Sequence, residues 1–157
     1  MEKKTKFIWP PFNNEIINSV TKYLTTQESL SILDRSGIIE ELEEKLSKYF
    51  GVKYCLLTNS GTAAIRSIYF SLGLDNQSEV IVPTHTFRAT IAPLLLLGCK
   101  PVLCDVDYDS GNINPEEIER KITKNTRAIV VTHMYGCPAR MDKIISIAKK
   151  NKIPVIE

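Results

Sequence analysis

Several features are missing from this 157-residue chain, and each absence removes a class of function. No apolar run is long enough to span a bilayer; the longest, Ile91–Cys99, is short and contains Pro93. The start, Met1–Phe12, carries lysines but no apolar stretch of the length a secretory signal needs. Charge excess is missing too. The 20 Lys and Arg residues face 18 Asp and Glu, a net charge of +2, which gives no basis for a nucleic-acid or membrane partner. The lysine runs Lys3–Lys6 and Lys149–Lys152 are short and read as solvated faces. The 4 cysteines (Cys55, Cys99, Cys104, Cys137) show no C-x-x-C spacing, and the 2 histidines, His85 and His133, lie far apart in sequence. No metal site is expected from such a set. No G-x-G-x-x-G comes after a strand-like run, so a Rossmann-like nucleotide domain lacks its fingerprint. A Walker A pattern is absent as well, which argues against an NTPase.

What is present is the composition of a soluble globular domain, 43% hydrophobic and 24% charged, in a chain long enough for a real core. Cys55 and Cys104 lie in apolar runs and read as small core residues, in a reducing, cytoplasmic setting. From Tyr54 onward two kinds of segment alternate. Short continuous apolar runs at Tyr54–Thr58, Glu79–Val82, Val102–Asp105, Ala128–Thr132 and Ile153–Ile156 read as strands buried on both faces. Between them, Ala63–Leu72, Phe87–Leu97, Pro115–Ile122 and Met141–Lys150 read as helices. Asn114 caps the third of these, Pro115 takes its first position, and Glu116 and Glu117 suit its positive end. Gly98 is placed to stop the helix before it. This alternation predicts an α/β fold, three-layer α/β/α with a mostly parallel sheet.

The first fifty residues differ. Asn13–Tyr23 and Gly37–Phe50 read as amphipathic helices, Gly51 ends the second, and Thr25–Ser36 reads as a loop. We expect a helical arm over residues 1–52 and an α/β domain over 53–157.

Ligands of open parallel sheets bind outside the carboxyl ends of the strands. The segments there are Asn59–Thr62, Pro83–Phe87, Asp105–Asp107 and His133–Gly136, with Glu157 closing the chain. Asn59–Ala64 joins a strand-like to a helix-like run through small residues. It has two readings. Ser60 or Thr62 caps the helix, or the open N–H groups of the junction cradle a phosphate. Phe87 can stack on a flat heteroaromatic ring; on the residues alone, core packing is favoured. His85 and His133 singly read as satisfied loop histidines. Asp105 and Asp107 offer acid–base chemistry, with a turn role favoured. Together these loops suit a flat, phosphorylated, heteroaromatic cofactor.

An ordered series of pieces then becomes visible. It runs Phe50–Val52, Thr58–Ala64, Glu79–Thr90, Gly98–Val102, Asp105–Asp107, Asn112–Pro115, His133–Asp142 and Ile153–Glu157. In order and spacing it resembles the DegT/DnrJ/EryC1/StrS family of PLP-dependent sugar aminotransferases, from about Ile8 to the last residue. The resemblance implies the large domain of the type I PLP-transferase fold. It implies that Ser60, Gly61 and Thr62 hold the phosphate of pyridoxal 5′-phosphate and that Phe87 stacks on its pyridine ring. It places His133 and Tyr135 in the loop lining the cofactor; His85, after the second strand, is a further site-lining candidate. Cys137 departs from the polar residue, often Gln, that comes after the Tyr-Gly pair in the family.

The resemblance also bears on residues beyond Glu157. The Asp that pairs with the pyridinium nitrogen would be the next residue, and the Schiff-base lysine would lie well downstream. Lys53, Lys100 and Lys152 precede strands, and Lys143, Lys149 and Lys150 lie on a polar helix face, so none substitutes. The expectation is therefore the N-terminal part of an aminotransferase, without catalytic residues of its own and inactive alone. The complete enzyme would act on a nucleotide-linked keto sugar and an amino-acid donor as a cytoplasmic homodimer, in amino-sugar biosynthesis. Two alternatives stand beside it: a PLP-dependent sugar dehydratase fragment, and a non-catalytic truncated module that binds a partner subunit or a phosphorylated ligand.

Overall fold

The computed structural model describes residues 12–26 and 37–157. Lys3–Lys6 and most of the loop expected at Thr25–Ser36 lie outside them. The chain forms two compact units, Met1–Leu57 and Thr58–Glu157.

In the first unit, helix α1 spans Asn14–Thr26, so Thr25 and Thr26 continue the helix where the sequence predicts a loop. Asn13 caps it, accepting the Ile16 N–H through Oδ1 at 2.8 Å. Helix α2, Ile38–Phe50, ends where expected, with Gly51 in the left-handed region at φ 64°. The run Tyr54–Thr58 forms no strand. Its apolar, β-prone composition is right, but a strand also needs a partner backbone, and this run has none among the described residues. The Leu57 N–H donates to a carboxylate, Glu43 Oε1 at 2.8 Å, in place of a ladder carbonyl. Cys55 is half-buried rather than a core residue.

The second unit is an α/β sandwich of three layers. Helix α3 (Gly61–Ser71) precedes strand β1 (Glu79–Pro83). Then come α4 (Ala92–Leu96), β2 (Lys100–Cys104), α5 (Pro115–Lys121), β3 (Thr126–Val130), α6 (Met141–Asn151) and β4 (Val155–Ile156). All pairings within the four-stranded sheet are parallel, in the order β2-β1-β3-β4. β1 is buried along its whole length, as its Val80–Ile81–Val82 centre requires. On one face Val80, Val82, Ala128 and Val130 meet Tyr69 of α3 and Leu94 of α4. On the other, Ile81, Cys104 and Ile129 meet Ile118 of α5 and Ile144 and Ala148 of α6. Burial pushes the Cys104 thiol up to about 12, so it serves as a small apolar filler.

The helix expected over Phe87–Leu97 is broken. Arg88–Thr90 tightens into a 3₁₀ turn, and α4 restarts at Ala92 with Pro93 in its first turn. Proline has no N–H to donate back across the break, so the helix begins there instead of running through it. α5 starts as predicted, with Asn114 Oδ1 accepting the Glu116 N–H at 2.9 Å. At the sheet margins, β2 carries Pro101, whose register partner is Val80. β4 is two residues long and pairs with β3 alone.

Candidate functional site

The strand order fixes where a ligand can enter. From β1 the chain steps outward to β2, then returns to the far side of β1 to lay down β3. The reversal between β1 and β3 is a topological switch point, and it opens a crevice at their carboxyl ends. Two loops flank that crevice and are tied across it. The Oγ1 atoms of Thr86, after β1, and Thr132, after β3, lie 2.9 Å apart, and Thr86 Oγ1 is 2.9 Å from Thr90 Oγ1. A cavity of about 360 Å³ is lined by Ile65, Thr90, Thr132, His133 and Glu157, among others. Ile65 belongs to the first turns of α3, so the N-terminus of that helix borders the same region.

The junction Asn59–Ala64 forms the cap of its first sequence reading. Ser60 is extended and caps α3, its Oγ accepting the Ala63 N–H at 3.2 Å. Its backbone carbonyl takes the Ala64 N–H at 3.0 Å. The N–H groups of Gly61 and Thr62 make no bond among the described residues, and the Ser60 and Thr62 hydroxyls keep protons to donate. A Cβ built on Gly61 would meet nothing within 4 Å. The charge pattern points the same way. α1, α2, α5 and α6 each carry an acidic residue in the first turn, while α3 and the five-residue α4 carry none. The positive end of the α3 dipole is thus left without a carboxylate in its own first turn, which is what an anionic ligand needs. These donors fit a phosphate group.

Phe87 is 69% exposed, which excludes the core-packing reading and leaves its face available. The Arg88 guanidinium approaches it, 5.9 Å from the ring centre. His85 is exposed, with its ring 6.0 Å from that of Tyr135 at a tilt of 58°. Tyr135 is exposed and holds a left-handed backbone, φ 53°. His133 is the one sequence-predicted residue that lines the cavity. Its Nδ1 accepts the Ala139 N–H at 3.0 Å, so Nε2 carries the ring proton and faces Glu157 Oε2 at 2.9 Å. The structure thus brings together His85 with Tyr135, and His133 with Glu157. Asp105 and Asp107 do not pair with each other. Asp105 O accepts from Asn114 N–H and Asp107 O from Gly111 N–H, which is the turn role. The Asp107 carboxylate is 3.0 Å from Arg140 Nη2.

Several residues with work at this edge went unassigned in the sequence. Thr86, Thr90 and Thr132 form the hydroxyl chain, but their sequence separation gives no local signal. Arg140 joins Asp107 to Glu116, and Lys143 adds a second cation to Glu116. A hydrogen bond from its own backbone N–H, then Lys143 and Arg140, hold the Glu116 carboxyl down at about 2. Asn112 is the remaining one; its side-chain amide bonds the loop after β3. No lysine stands in the loops after β1, β2 and β3. Lys100 is bound to Glu79 at the amino end of β2, and Lys150 to Glu119.

Comparison with known proteins gives a consistent set of relatives. A sequence model described as the DegT/DnrJ/EryC1/StrS aminotransferase family matches residues 12–157. A UDP-2-acetamido-2-deoxy-3-oxo-D-glucuronate aminotransferase of Pseudomonas aeruginosa is 41% identical over 76% of this chain and 33% of its own length. A Bacillus subtilis protein solved with bound cofactor PMP superposes with a TM-score of 0.84 at 32% identity, over 98% of this chain and 36% of the other. A solved GDP-4-keto-6-deoxymannose-3-dehydratase superposes with a TM-score of 0.72 at 27% identity, over 76% of this chain and 33% of the other. The chain therefore spans about a third of the length of the relatives it matches.

Proposed function

The chain belongs to the DegT/DnrJ/EryC1/StrS aminotransferase family, and from that premise we propose that it supplies the cofactor-phosphate half of a PLP-dependent aminotransferase acting on a nucleotide-linked keto sugar. The observation that carries this reading is the N-terminus of α3. It presents two N–H groups that make no bond among the described residues, two hydroxyl donors and a first turn without a carboxylate. Gly61 and Thr62 hold the phosphate, Ser60 shapes the turn and adds its hydroxyl, and Phe87 offers an exposed face to the ring. His133, fixed in one tautomer between Ala139 and Glu157, holds a proton at Nε2 beside the cavity. When bound, pyridoxal phosphate supplies the electron sink for amino-group transfer.

No lysine stands in the loops after β1, β2 and β3, which supports the reading that the chain alone binds without transferring an amino group. In the whole protein the donor is an amino acid, and the reading includes a cytoplasmic homodimer. A sugar dehydratase is the second reading, favoured by the likeness to the GDP-4-keto-6-deoxymannose-3-dehydratase. Both readings use the same phosphate site at α3.

Titration of the 157-residue chain with pyridoxal 5′-phosphate, monitored by amide chemical shifts, tests the reading. The expected outcome is that the Gly61 and Thr62 amides move first. Thr62→Ala weakens both pyridoxal phosphate and inorganic phosphate by about tenfold, the loss expected for one charge-assisted hydrogen bond. Shifts confined to the amino edge of the sheet, at Lys124 and Lys152, would refute it.

A further inference from the structure

Asn112 lies in the turn between β2 and α5 and is only 2% exposed. Its backbone closes that turn, its carbonyl accepting the Asp107 N–H at 2.8 Å. The side chain does something else. Oδ1 accepts the Met134 N–H at 2.8 Å, and Nδ2 donates to the Cys137 carbonyl at 3.0 Å. Both partners belong to the loop after β3, and both ends of a buried amide are thereby satisfied.

The two bonds bracket Tyr135 and Gly136, which have positive φ values of 53° and 80°. Gly136 adopts such a backbone freely, but Tyr135 does not, and a side-chain-bearing residue stays there only when its surroundings hold it. The neighbour of Asn112 reaches the other ring. Gly111 has φ +68°, and a Cβ built on it would stand 3.2 Å from His85 Nδ1. One turn therefore touches both members of the His85–Tyr135 pair, Gly111 through the imidazole and Asn112 through the loop.

We propose that Asn112 is a positioning residue whose buried amide holds Tyr135 opposite His85 at the ligand-binding edge, so that the pair meets the ring of the cofactor rather than its phosphate. The geometric half of this stands on the contacts above. The ring-facing half rests on the proposed function.

The test is Asn112→Asp in the full 157-residue chain, which keeps the acceptor for Met134 and removes the donor for Cys137. In the wild type, a nuclear Overhauser contact between the His85 and Tyr135 rings is expected, along with slow exchange of the Met134 amide. In the variant the ring contact is lost. Pyridoxal 5′-phosphate binds about tenfold more weakly, and inorganic phosphate, held at α3, stays within about twofold. A merely structural role would weaken both ligands together, and that result overturns the proposal. Unchanged affinity for pyridoxal 5′-phosphate overturns it too, as does a ring contact that survives the substitution. If Asn112→Asp does not fold, the wild-type measurement decides, because absence of the ring contact there is fatal. If the wild type binds neither ligand, the proposed function falls, while the ring contact still decides whether Asn112 positions Tyr135.

Discussion

α1 and α6 are written in the same pattern and end in different places. α1 places Ile16, Ile17, Val20 and Leu24 along one side, and α6 places Ile144, Ile147 and Ala148 along one side. α6 buries Ile144 completely and Ala148 to 2%, against Ile81, Ile129 and their neighbours. α1 buries nothing, and its four apolar residues stay 40–55% exposed. Periodicity therefore states that a helix owns an apolar face. It does not state what covers that face, which depends on chain far away in sequence.

The comparison can be broken most directly by truncating one residue on each side. Ile129→Ala, at a fully buried position in the sheet, is expected to cost about 2–5 kcal/mol by urea unfolding, from lost burial plus the cavity left behind. Val20→Ala in α1 is expected to stay within about 0.5 kcal/mol in the same assay. Equal costs would mean that α1 shares in the core of the folded chain.

A smaller effect is expected at Tyr69, the buried polar group beneath the candidate site. Its hydroxyl donates to the Thr90 carbonyl at 2.9 Å, and Tyr69→Phe leaves that carbonyl unpaired, at about 1–3 kcal/mol. The same residue gives a pH signature. Burial, then the nearby Cys99, pushes its phenol up to about 12, above the value of about 10 for an unfolded chain. Since the folded state favours the protonated form, this contribution is complete below pH ~10 and is lost as pH rises through about 12. Alkaline titration of stability should therefore fall less steeply for Tyr69→Phe than for the wild type.

The smallest expected effect sharpens the contrast with identical chemistry. Asn13 and Asn114 both cap helices through Oδ1. Asn114→Ala should lower global stability by about 1 kcal/mol, because α5 folds with the sheet. Asn13→Ala should reduce helical circular dichroism while leaving the unfolding midpoint of the sheet in place.

These cases also mark what could be read from the chain and what could not. The start of α5 was legible because its cap, proline and acids all lie next to one another in the chain. The α3 cap was legible for the same reason. Tyr54–Thr58 misled because strand composition is local and strand pairing is not. The broken helix after β1 misled in the opposite way, since an apolar run with Pro93 reads as one helix until backbone geometry divides it. Phe87 was placed correctly at the sheet edge, but its exposure depends on what does not pack over it. The order β2-β1-β3-β4 was invisible, and with it the crevice between β1 and β3 that makes a site of separate loops. Asn112 was hidden by distance, because the backbone it serves begins 22 residues further on. His133 was visible as a histidine after a strand, but its tautomer is set by Ala139 and Glu157, which no spacing rule connects to it.

The margins of the sheet are unequal, and this has a consequence for how molecules of the chain meet one another in concentrated solution. β2 presents Lys100, a cation paired with Glu79 yet largely exposed, and Pro101, which has no N–H to offer a neighbouring strand. β4, with Val155 and Ile156, has no such guard on its outer side among the described residues. Errant strand addition during refolding or concentration should therefore begin at β4 and pass β2 by.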